Sequence, residues 1–449
     1  MLDEASNAIS KGLLENMILN SGLQTSLFQD TEPRTRNDAA SSTFIDNMRL
    51  PVHRWFRFSA GFSAQWVESV IEGASIPSSS ITVLDPFAGS GTTLIAAECV
   101  GAKASGIEAH VFVSRIAKAK LKYRTNPQSF LAHAKKVIET SNKVKGKIDG
   151  YPQLIRKCYE DWALQGLDRL RVAWERHDDR TPQSELVWLA LASILRQVSH
   201  VGTAPWQYIL PNKTKKQRVD PEQAFHSMTV LMASDMNLAQ TVKGPNAILL
   251  ETDARTCGGV PSESVDLVVT SPPYANNYDY ADATRLEMCF FGEIGSWGDL
   301  QSVVRTRLVR SCAQHVPDGS VNLKEVLAAP ELHAVRSELV RVCGELGQIR
   351  LQRGGRKTYH NMIATYFLDM AQVWKSLRRV CKSPSEVCFV IGDSAPYGVY
   401  VPVVNWMGAL AKSAGFEGFR FEKTRDRNLK WRNRKHRVPL CEGRLWVQG

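Results

Sequence analysis

The sequence predicts an α/β protein with a doubly wound, mostly parallel seven-stranded sheet and a mainly helical insertion. Three observations lead to this fold class. Short apolar runs end at polar or acidic residues, which is typical of strands buried on both faces of a parallel sheet. Segments with apolar residues at helical spacing separate these runs. The first run also leads through a glycine-rich turn into a helix, as in Rossmann-like folds.

The apolar runs give the strands. Residues 419–421 and 444–447 are predicted to form an antiparallel pair at the end of the sheet. The other runs are predicted to lie parallel, at residues 81–84, 103–107, 247–250, 265–269 and 387–391.

The helices follow from apolar residues that recur every three or four positions. Asp220 and Pro221 are typical of a helix start, and Gly415 is typical of a helix end. Residues 295–357 are charged and irregular in pattern, so no helix is predicted there. The predicted helices are residues 63–73, 110–122, 128–144, 151–174, 184–198, 221–236, 286–292, 359–380 and 401–414.

The chain is expected to divide into three regions. Residues 1–45 are polar and are expected to form a flexible N-terminal arm. Residues 46–123 and 246–449 carry the strands and are expected to form the main α/β domain. Residues 124–245 connect the second and third strands, where a short connection is the norm, and are predicted to be a helical insertion.

The composition is that of an ordinary globular protein, with 43% hydrophobic and 22% charged residues among 449. No apolar run is long enough for a membrane span, and the N-terminus lacks the pattern of a signal peptide. The nine cysteines show neither Cys-x-x-Cys pairs nor zinc-binding spacings. A cytoplasmic protein with reduced thiols and no metal is therefore expected.

The first strand leads into the turn Asp85-Pro86-Phe87-Ala88-Gly89-Ser90-Gly91-Thr92-Thr93. Gly89 and Gly91 allow the backbone to turn sharply beside a ligand, and Ser90 or Thr92 is predicted to cap the following helix. No Gly-Lys-Ser/Thr follows, so the turn is not a phosphate loop. The carboxylate of Asp85 would repel a pyrophosphate but attract a cationic amino group. The turn therefore favours S-adenosylmethionine over NAD or ATP.

Two further acids follow neighbouring strands. Glu108 ends the second strand, roughly 20 residues beyond the glycines, where an acid binds ribose hydroxyls. Asp253 follows the third strand and is a candidate acceptor for an adenine amino group.

The fourth strand ends in Ser271-Pro272-Pro273-Tyr274. Two prolines must end the strand, because proline has no N–H and pushes the preceding residue into an extended conformation. The result is a stiff loop at the carboxyl edge of the sheet, where ligands bind in open α/β folds. Its serine hydroxyl, carbonyls and aromatic ring suit the binding of a planar base by its amino group.

These motifs resemble those of a known family. Residues 85–93 are similar to the cofactor motif of the DNA amino-methyltransferases, and Ser271-Pro272-Pro273-Tyr274 is similar to their catalytic motif. The serine form is most typical of enzymes that methylate the N4 amino group of cytosine, whereas adenine-N6 enzymes more often carry Asp or Asn first. Residues 53–63 resemble the family segment that covers the methionine end of the cofactor. The resemblance covers residues 50–125 and 246–449.

The resemblance implies a class I methyltransferase that methylates cytosine in double-stranded DNA, as the modification enzyme of a bacterial or archaeal restriction-modification system. Residues 46–123 and 246–449 would be its catalytic domain, and a cognate restriction endonuclease would be its partner. Residues 124–245 and 295–357 are both candidates for reading the DNA sequence. The residues implied in binding S-adenosyl-L-methionine are Asp85, Phe87, Gly89, Gly91, Thr92, Glu108, Asp253 and Phe62.

The resemblance also implies direct methyl transfer to an exocyclic nitrogen. The Ser271 hydroxyl and the Pro272 carbonyl would accept hydrogen bonds from the amino group, and Tyr274 would stack on the flipped base. Pro273 completes the catalytic motif.

The net charge of +11 suits a polyanionic substrate. Residues 420–437 hold nine Lys or Arg against two acids, 9 − 2 = +7. Residues 213–218 are a weaker basic stretch. The candidate phosphate contacts are Arg425, Arg427, Lys430, Arg432, Arg434 and Lys435.

Three other functions stay open from the sequence. These are an adenine-N6 DNA methyltransferase, an RNA amino-methyltransferase, and a non-enzymatic DNA-binding subunit on a methylase scaffold. None of the cysteines follows a proline, which argues against a cytosine-C5 methyltransferase.

Overall fold

A seven-stranded sheet forms the centre of the computed structural model, which describes residues 46–58, 61–204, 207–215, 219–242, 244–276, 278–355, 357–427 and 438–449. The strands of the described chain are β1 (Thr82–Asp85), β2 (Lys103–Ile107), β3 (Val201–Thr203), β4 (Ile209–Thr214), β5 (Ile248–Leu250), β6 (Val265–Thr270), β7 (Cys381–Gly392), β8 (Gly418–Asp426) and β9 (Cys441–Gln448).

The strand order of the main sheet is β5-β2-β1-β6-β7-β9-β8. The first five strands in this order run parallel. Strand β9 lies antiparallel to β7, and β8 lies antiparallel to β9. The predicted fold class, a doubly wound and mostly parallel sheet of seven strands, is thereby confirmed.

Helices surround the sheet. They are α1 (Ala64–Glu72), α2 (Thr92–Cys99), α3 (Val111–Lys120), α4 (Pro127–Ser141), α5 (Gln153–Cys158), α6 (Asp161–His177), α7 (Pro182–Val198), α8 (Pro221–Ala239), α9 (Arg285–Phe290), α10 (Leu323–Ala328), α11 (Arg336–Gln352), α12 (Tyr359–Val380) and α13 (Val403–Ser413). None of the helices in these described residues is long and apolar enough to cross a bilayer.

Side chains of β1 and β6 alternate between two cores, as the period of a strand requires. Val83 and Val269 pack in the core that contains α1 and α2. Leu84 and Val268 pack in the core that contains α11, α12 and α13. Because both faces of the sheet are covered, all six residues of β6 are buried.

The segment between β2 and β5 contains α4 to α8, in agreement with its predicted helical character. Its apolar side chains do not form a core of their own. Leu164 of α6 and Trp188 of α7 belong to the same buried cluster as Phe112 of α3 and Trp55. Asp220 caps α8 as predicted, because its carboxylate accepts the backbone N–H of Gln223 at 2.9 Å.

Some predicted elements are wrong. Residues 295–357 are not irregular, since they contain α10 and the 17-residue helix α11. The predicted helix at 151–174 is two helices, α5 and α6. The hairpin of β3 and β4 was not expected, because Pro211 and Lys213 are poor strand residues.

Candidate active site

A cleft of about 840 Å³ opens where β1, β2 and β6 end, beside the point at which the strand order reverses. Ligands of open α/β sheets bind at such switch points. The cleft brings together many of the residues predicted from sequence: Phe62, Phe87, Gly89, Thr92, Glu108, Asp253, Ser271 and Pro273.

The glycine-rich turn forms one wall of the cleft. Gly89 and Gly91 have φ angles of 52° and 88°, which side chains other than glycine rarely adopt. A Cβ atom at Gly89 would also lie 3.2 Å from the ring of Phe58. The residue at the N-cap of α2 is Gly91, which has a left-handed conformation. Glycine has no side chain, so no side-chain hydrogen bond caps this helix. The predicted cap by Ser90 or Thr92 is therefore wrong.

Asp85 is buried behind the turn, and it is not among the described residues that line the cleft. Its carboxylate accepts the hydroxyls of Thr270 and Thr93, each at 2.6 Å, and the backbone N–H of Phe87 at 3.0 Å. Burial raises the pKa of Asp85 to about 6, although these hydrogen bonds oppose the rise. Asp85 thus ties the end of β1 to the last residue of β6.

Glu108 faces the cleft from the end of β2. Its two carboxylate oxygens accept the N–H groups of Gly89 at 2.9 Å and His110 at 2.8 Å. Burial raises the pKa of Glu108 to about 7. The glycine turn and this acid therefore form one rigid unit, in which the carboxylate keeps lone pairs for a hydroxyl donor.

Asp253 is one-third exposed at the rim of the cleft. It forms an ion pair with Arg255 at 2.6 Å and accepts the backbone N–H of the same residue at 2.8 Å. Arg255 also reaches the buried Asp369. The carboxylate is thus held in one orientation and its charge is balanced.

The Ser-Pro-Pro-Tyr loop is fastened from two elements. The Ser271 hydroxyl donates to the carbonyl of Val390 in β7 at 3.2 Å. The Tyr366 hydroxyl of α12 donates to the carbonyl of Pro273 at 2.9 Å. Pro272, between them, is buried.

Tyr274 lies beside the cleft but outside its described lining. The Arg427 guanidinium lies over the Tyr274 ring, 4.9 Å from the ring centroid. Burial raises the pKa of the Tyr274 hydroxyl well above its usual value, so the hydroxyl stays protonated. One face of this ring is therefore already in contact with a cation.

The two predicted phosphate contacts within the described hairpin are already engaged. Arg425 donates to Glu442 at 2.6 Å and 3.0 Å, and Arg427 donates to the Asp393 carbonyl at 2.6 Å. Lys430, Arg432, Arg434 and Lys435 lie outside the described residues.

Comparison with known proteins finds a family model and two kinds of relative that are similar to this chain. The DNA methylase family model, whose name joins the N6 and N4 methyltransferases, matches residues 23–119. The type II methyltransferase M.BsoBI of Geobacillus stearothermophilus is 24% identical over 83% of this chain and 80% of its own length. The type II methyltransferase M.AvaI of Nostoc sp. is 24% identical over 83% of this chain and 81% of its own length. No solved structure matches the chain.

These matches agree with the resemblance of the motifs and show that the chain is similar to DNA methylases and to type II methyltransferases. Its two signature motifs, Asp85–Thr93 and Ser271–Tyr274, meet at one cleft although about 180 residues separate them along the chain. The hydrogen bond between Thr270 and Asp85 joins the first motif to the residue that precedes the second.

Other residues that line this cleft were not assigned from sequence. They include His110, Tyr280 and Arg307. His110 carried a weak signal, since it lies two residues beyond Glu108. Burial lowers its pKa to about 4, so the ring is neutral near pH 7. No sequence pattern pointed to Arg307, because it lies in residues 295–357, where no pattern was recognised.

A buried ionic network supports the chain just after Tyr274. Asp279 pairs with Arg305 at 2.6 Å and with His315 at 3.3 Å, and all three side chains are almost fully buried. Cys312 lies within 4.8 Å of the ligand atoms of Asp279 and His315. A metal ion here would have to displace the Arg305 guanidinium from Asp279, so the group is better described as an ion-pair network.

Proposed function

We propose that this chain is the modification enzyme of a type II restriction-modification system. In this proposal it transfers a methyl group from S-adenosylmethionine to the N4 amino group of cytosine in double-stranded DNA. The observation that carries the proposal is Ser271, which puts a hydroxyl, and not a carboxylate, on the cleft at the first position of the catalytic motif. The named relatives, both type II methyltransferases, support the choice of system.

The cleft suits S-adenosylmethionine. Glu108 offers a fixed carboxylate for ribose hydroxyls, and Asp253 offers one for the adenine amino group. Phe58, Phe62 and Phe87 supply the apolar wall that a purine ring requires. The cofactor, when bound, supplies an electrophilic methyl group.

The loop geometry explains how the target amino group would be activated. Its lone pair is delocalised into the base, so the nitrogen is a poor nucleophile. Because the Ser271 hydroxyl donates its hydrogen bond to the Val390 carbonyl, a lone pair of its oxygen is proposed to accept a hydrogen bond from the amino group. The Pro273 carbonyl is occupied by Tyr366, which favours the Pro272 carbonyl as the second acceptor. Two acceptors in fixed positions would turn the nitrogen lone pair toward the methyl group.

Tyr274 would hold the base outside the double helix. Flipping a base costs a few kcal/mol, and stacking on an aromatic ring offsets about 1 to 3 kcal/mol of this. Arg427 covers one ring face, so the opposite face is the one proposed to receive the base.

The test is methylation of plasmid DNA by the purified protein, followed by digestion to nucleosides and mass spectrometry. N4-methylcytosine is expected. N6-methyladenine as the product would overturn the cytosine assignment, and methylation of transfer RNA but not plasmid would overturn the DNA substrate.

Ser271→Ala should lower methylation at least about 100-fold, because positioned hydrogen bonds carry much of the rate in this mechanism. Calorimetry should show unchanged binding of S-adenosylmethionine. Ser264→Ala is the matched control, since Ser264 precedes the same strand β6 at its opposite end and its hydroxyl donates only to Pro261. Full activity in the Ser271→Ala variant would refute its catalytic role.

A further inference from the structure

A second cleft lies between residues 142–152, helix α6 and the chain after α9. It encloses about 1250 Å³. Its floor is apolar, with Cys289, Phe290 and Phe291. Its walls carry the cationic side chains Lys143, Lys145, Lys147, Arg171 and Arg176, with Asp168 as the acid among the described lining residues.

Helix α6 holds the loop that carries Lys143, Lys145 and Lys147 in place. The buried Asp168 accepts the backbone N–H of Lys147 at 2.7 Å and the hydroxyl of Tyr151 at 2.8 Å. Gly146 packs so closely on α6 that a Cβ atom there would lie 2.3 Å from the Gln165 carbonyl oxygen. The lysines therefore project from a fixed backbone.

Two of the acids near the cleft share one arginine as their ion-pair partner. Arg171 pairs with Asp168 at 2.8 Å and with Glu175 at 2.6 Å, so this arginine balances both carboxylates in part. Asp149 is exposed on the same loop but does not belong to the described lining.

The remaining cations have no ion-pair partner. Lys143, Lys145, Lys147 and Arg176 are exposed, and none is within 4.0 Å of a carboxylate among the described residues. Five cationic side chains and one carboxylate line the cleft among the described residues, so the local potential is positive.

The cleft is lined in part by the helix that follows the catalytic loop along the chain. Its floor is the end of α9, which begins eleven residues after Tyr274. The Phe290 ring also stacks on Tyr151, with 5.5 Å between centroids. A ligand in this cleft would therefore touch the same stretch of chain that leads out of the Ser-Pro-Pro-Tyr loop.

We infer that this cleft binds the sugar-phosphate backbone of duplex DNA outside the target base. The inference rests on the proposed function and assigns part of its DNA contact to the helical insertion. Exposed lysines on a fixed loop, with no carboxylate within 4.0 Å among the described residues, suit phosphate groups, whose binding releases counterions and is independent of sequence. This backbone contact would give the insertion a role in positioning the duplex. Other residues would then recognise the bases.

The test uses the full-length protein and a fluorescein-labelled duplex of random sequence, because a backbone contact does not need the target site. Dissociation constants are measured by anisotropy across a series of salt concentrations. The variant Lys143→Glu/Lys145→Glu should bind about tenfold more weakly, and its slope of log Kd against log salt should be shallower by about 2, for two lost phosphate contacts.

The matched control is Lys135→Glu/Lys136→Glu, which makes the same change of charge on the exposed face of α4. It should bind DNA nearly as the unmodified protein does. Lys143→Gln/Lys145→Gln should give an intermediate loss, and unchanged thermal unfolding of each variant shows that the fold is intact. Equal affinity in the cleft variant and the control, whether reduced or not, would overturn the inference.

The two proposals fail separately. If the unmodified protein binds the duplex but transfers no methyl group, the proposed function is wrong. The comparison of DNA binding between the cleft variant and its control still tests the cleft inference. If methylation occurs and the cleft variant binds DNA normally, the cleft inference alone is wrong.

Discussion

At the scale of single residues, the contact between Arg427 and Tyr274 is the feature of the site with the sharpest consequence. Arg427 is fixed by the Asp393 carbonyl at 2.6 Å, and its stem packs on Gly392, where a Cβ atom would be 2.8 Å from the arginine Cδ. A cation over an aromatic ring contributes about 0.5 to 2 kcal/mol. Arg427→Met should therefore loosen Tyr274 and lower kcat for plasmid methylation about tenfold, with little change in KM for DNA.

Arg420→Met is the control for this prediction. Arg420 lies on β8, which ends at the residue before Arg427, and it also covers an aromatic ring, Trp446, at 4.9 Å. The Arg420→Met variant therefore loses the same charge and the same kind of contact away from the loop. Its kcat should stay near that of the unmodified enzyme. A raised KM with unchanged kcat in Arg427→Met would instead identify Arg427 as the phosphate contact that the basic segment predicts.

The site residues that could be predicted from sequence are those that lie directly beside a recognisable strand. Glu108 and Ser271 directly follow recognisable strands, and the edge of a parallel sheet brings such ends together. The role of Asp85 could not be read in this way. Its partners Thr93 and Thr270 show that its carboxylate joins two strands, which depends on their register across the sheet.

At the scale of elements, the network of Asp279, Arg305 and His315 fixes the segment that follows the catalytic loop. Burial disfavours a charged His315, but Cys312 and Asp279 outweigh it and raise the pKa of His315 from 6.5 to about 10. Both ring nitrogens have acceptors, the Val309 carbonyl and Asp279. A raised pKa stabilises the folded state fully below pH 6.5, and this contribution is lost as the pH rises toward 10.

His315→Gln should therefore lower the free energy of unfolding by about 3 kcal/mol below pH 6.5, and by much less near pH 10. Thermal unfolding of both proteins at the two pH values measures the difference. His333→Gln, at an exposed histidine, is the control and should show neither effect. A loss of stability that is equal at both pH values would contradict a charged His315.

Elements with a clean period were predictable and others were not. Helix α12 spans Tyr359–Val380, as predicted, because apolar residues recur along its whole length. In helix α11 the core-facing residues Leu339, Val342, Cys343 and Leu346 recur at helical spacing, but they span less than half of the helix, and charged residues and glycines surround them. The helix was therefore missed. Its burial depends on α12, with which it packs, and such tertiary support is invisible in a local window.

At the scale of the whole molecule, the helical insertion shares its core with the sheet domain. Trp55, before α1, is fully buried in the same cluster as Trp188 of α7 and Phe112 of α3. The sequence showed that an insertion was present, since the connection from β2 to β5 is long. It could not show that the insertion is packed against residues 52–55, because that contact joins positions about 180 residues apart.

Asp235 of α8 is the residue that makes this connection. It is fully buried and accepts the backbone N–H of Val52 at 3.1 Å, the Arg54 guanidinium at 3.0 Å and the Trp55 indole N–H at 2.8 Å. Asp235→Asn should lower the free energy of unfolding by about 3 kcal/mol, because Arg54 loses its charged partner. Since the core is shared, circular dichroism and tryptophan fluorescence should report one transition at the same lowered temperature. Asp149→Asn, at an exposed acid of the insertion, should leave that temperature unchanged. Two separate transitions would instead show that the insertion unfolds independently of the sheet.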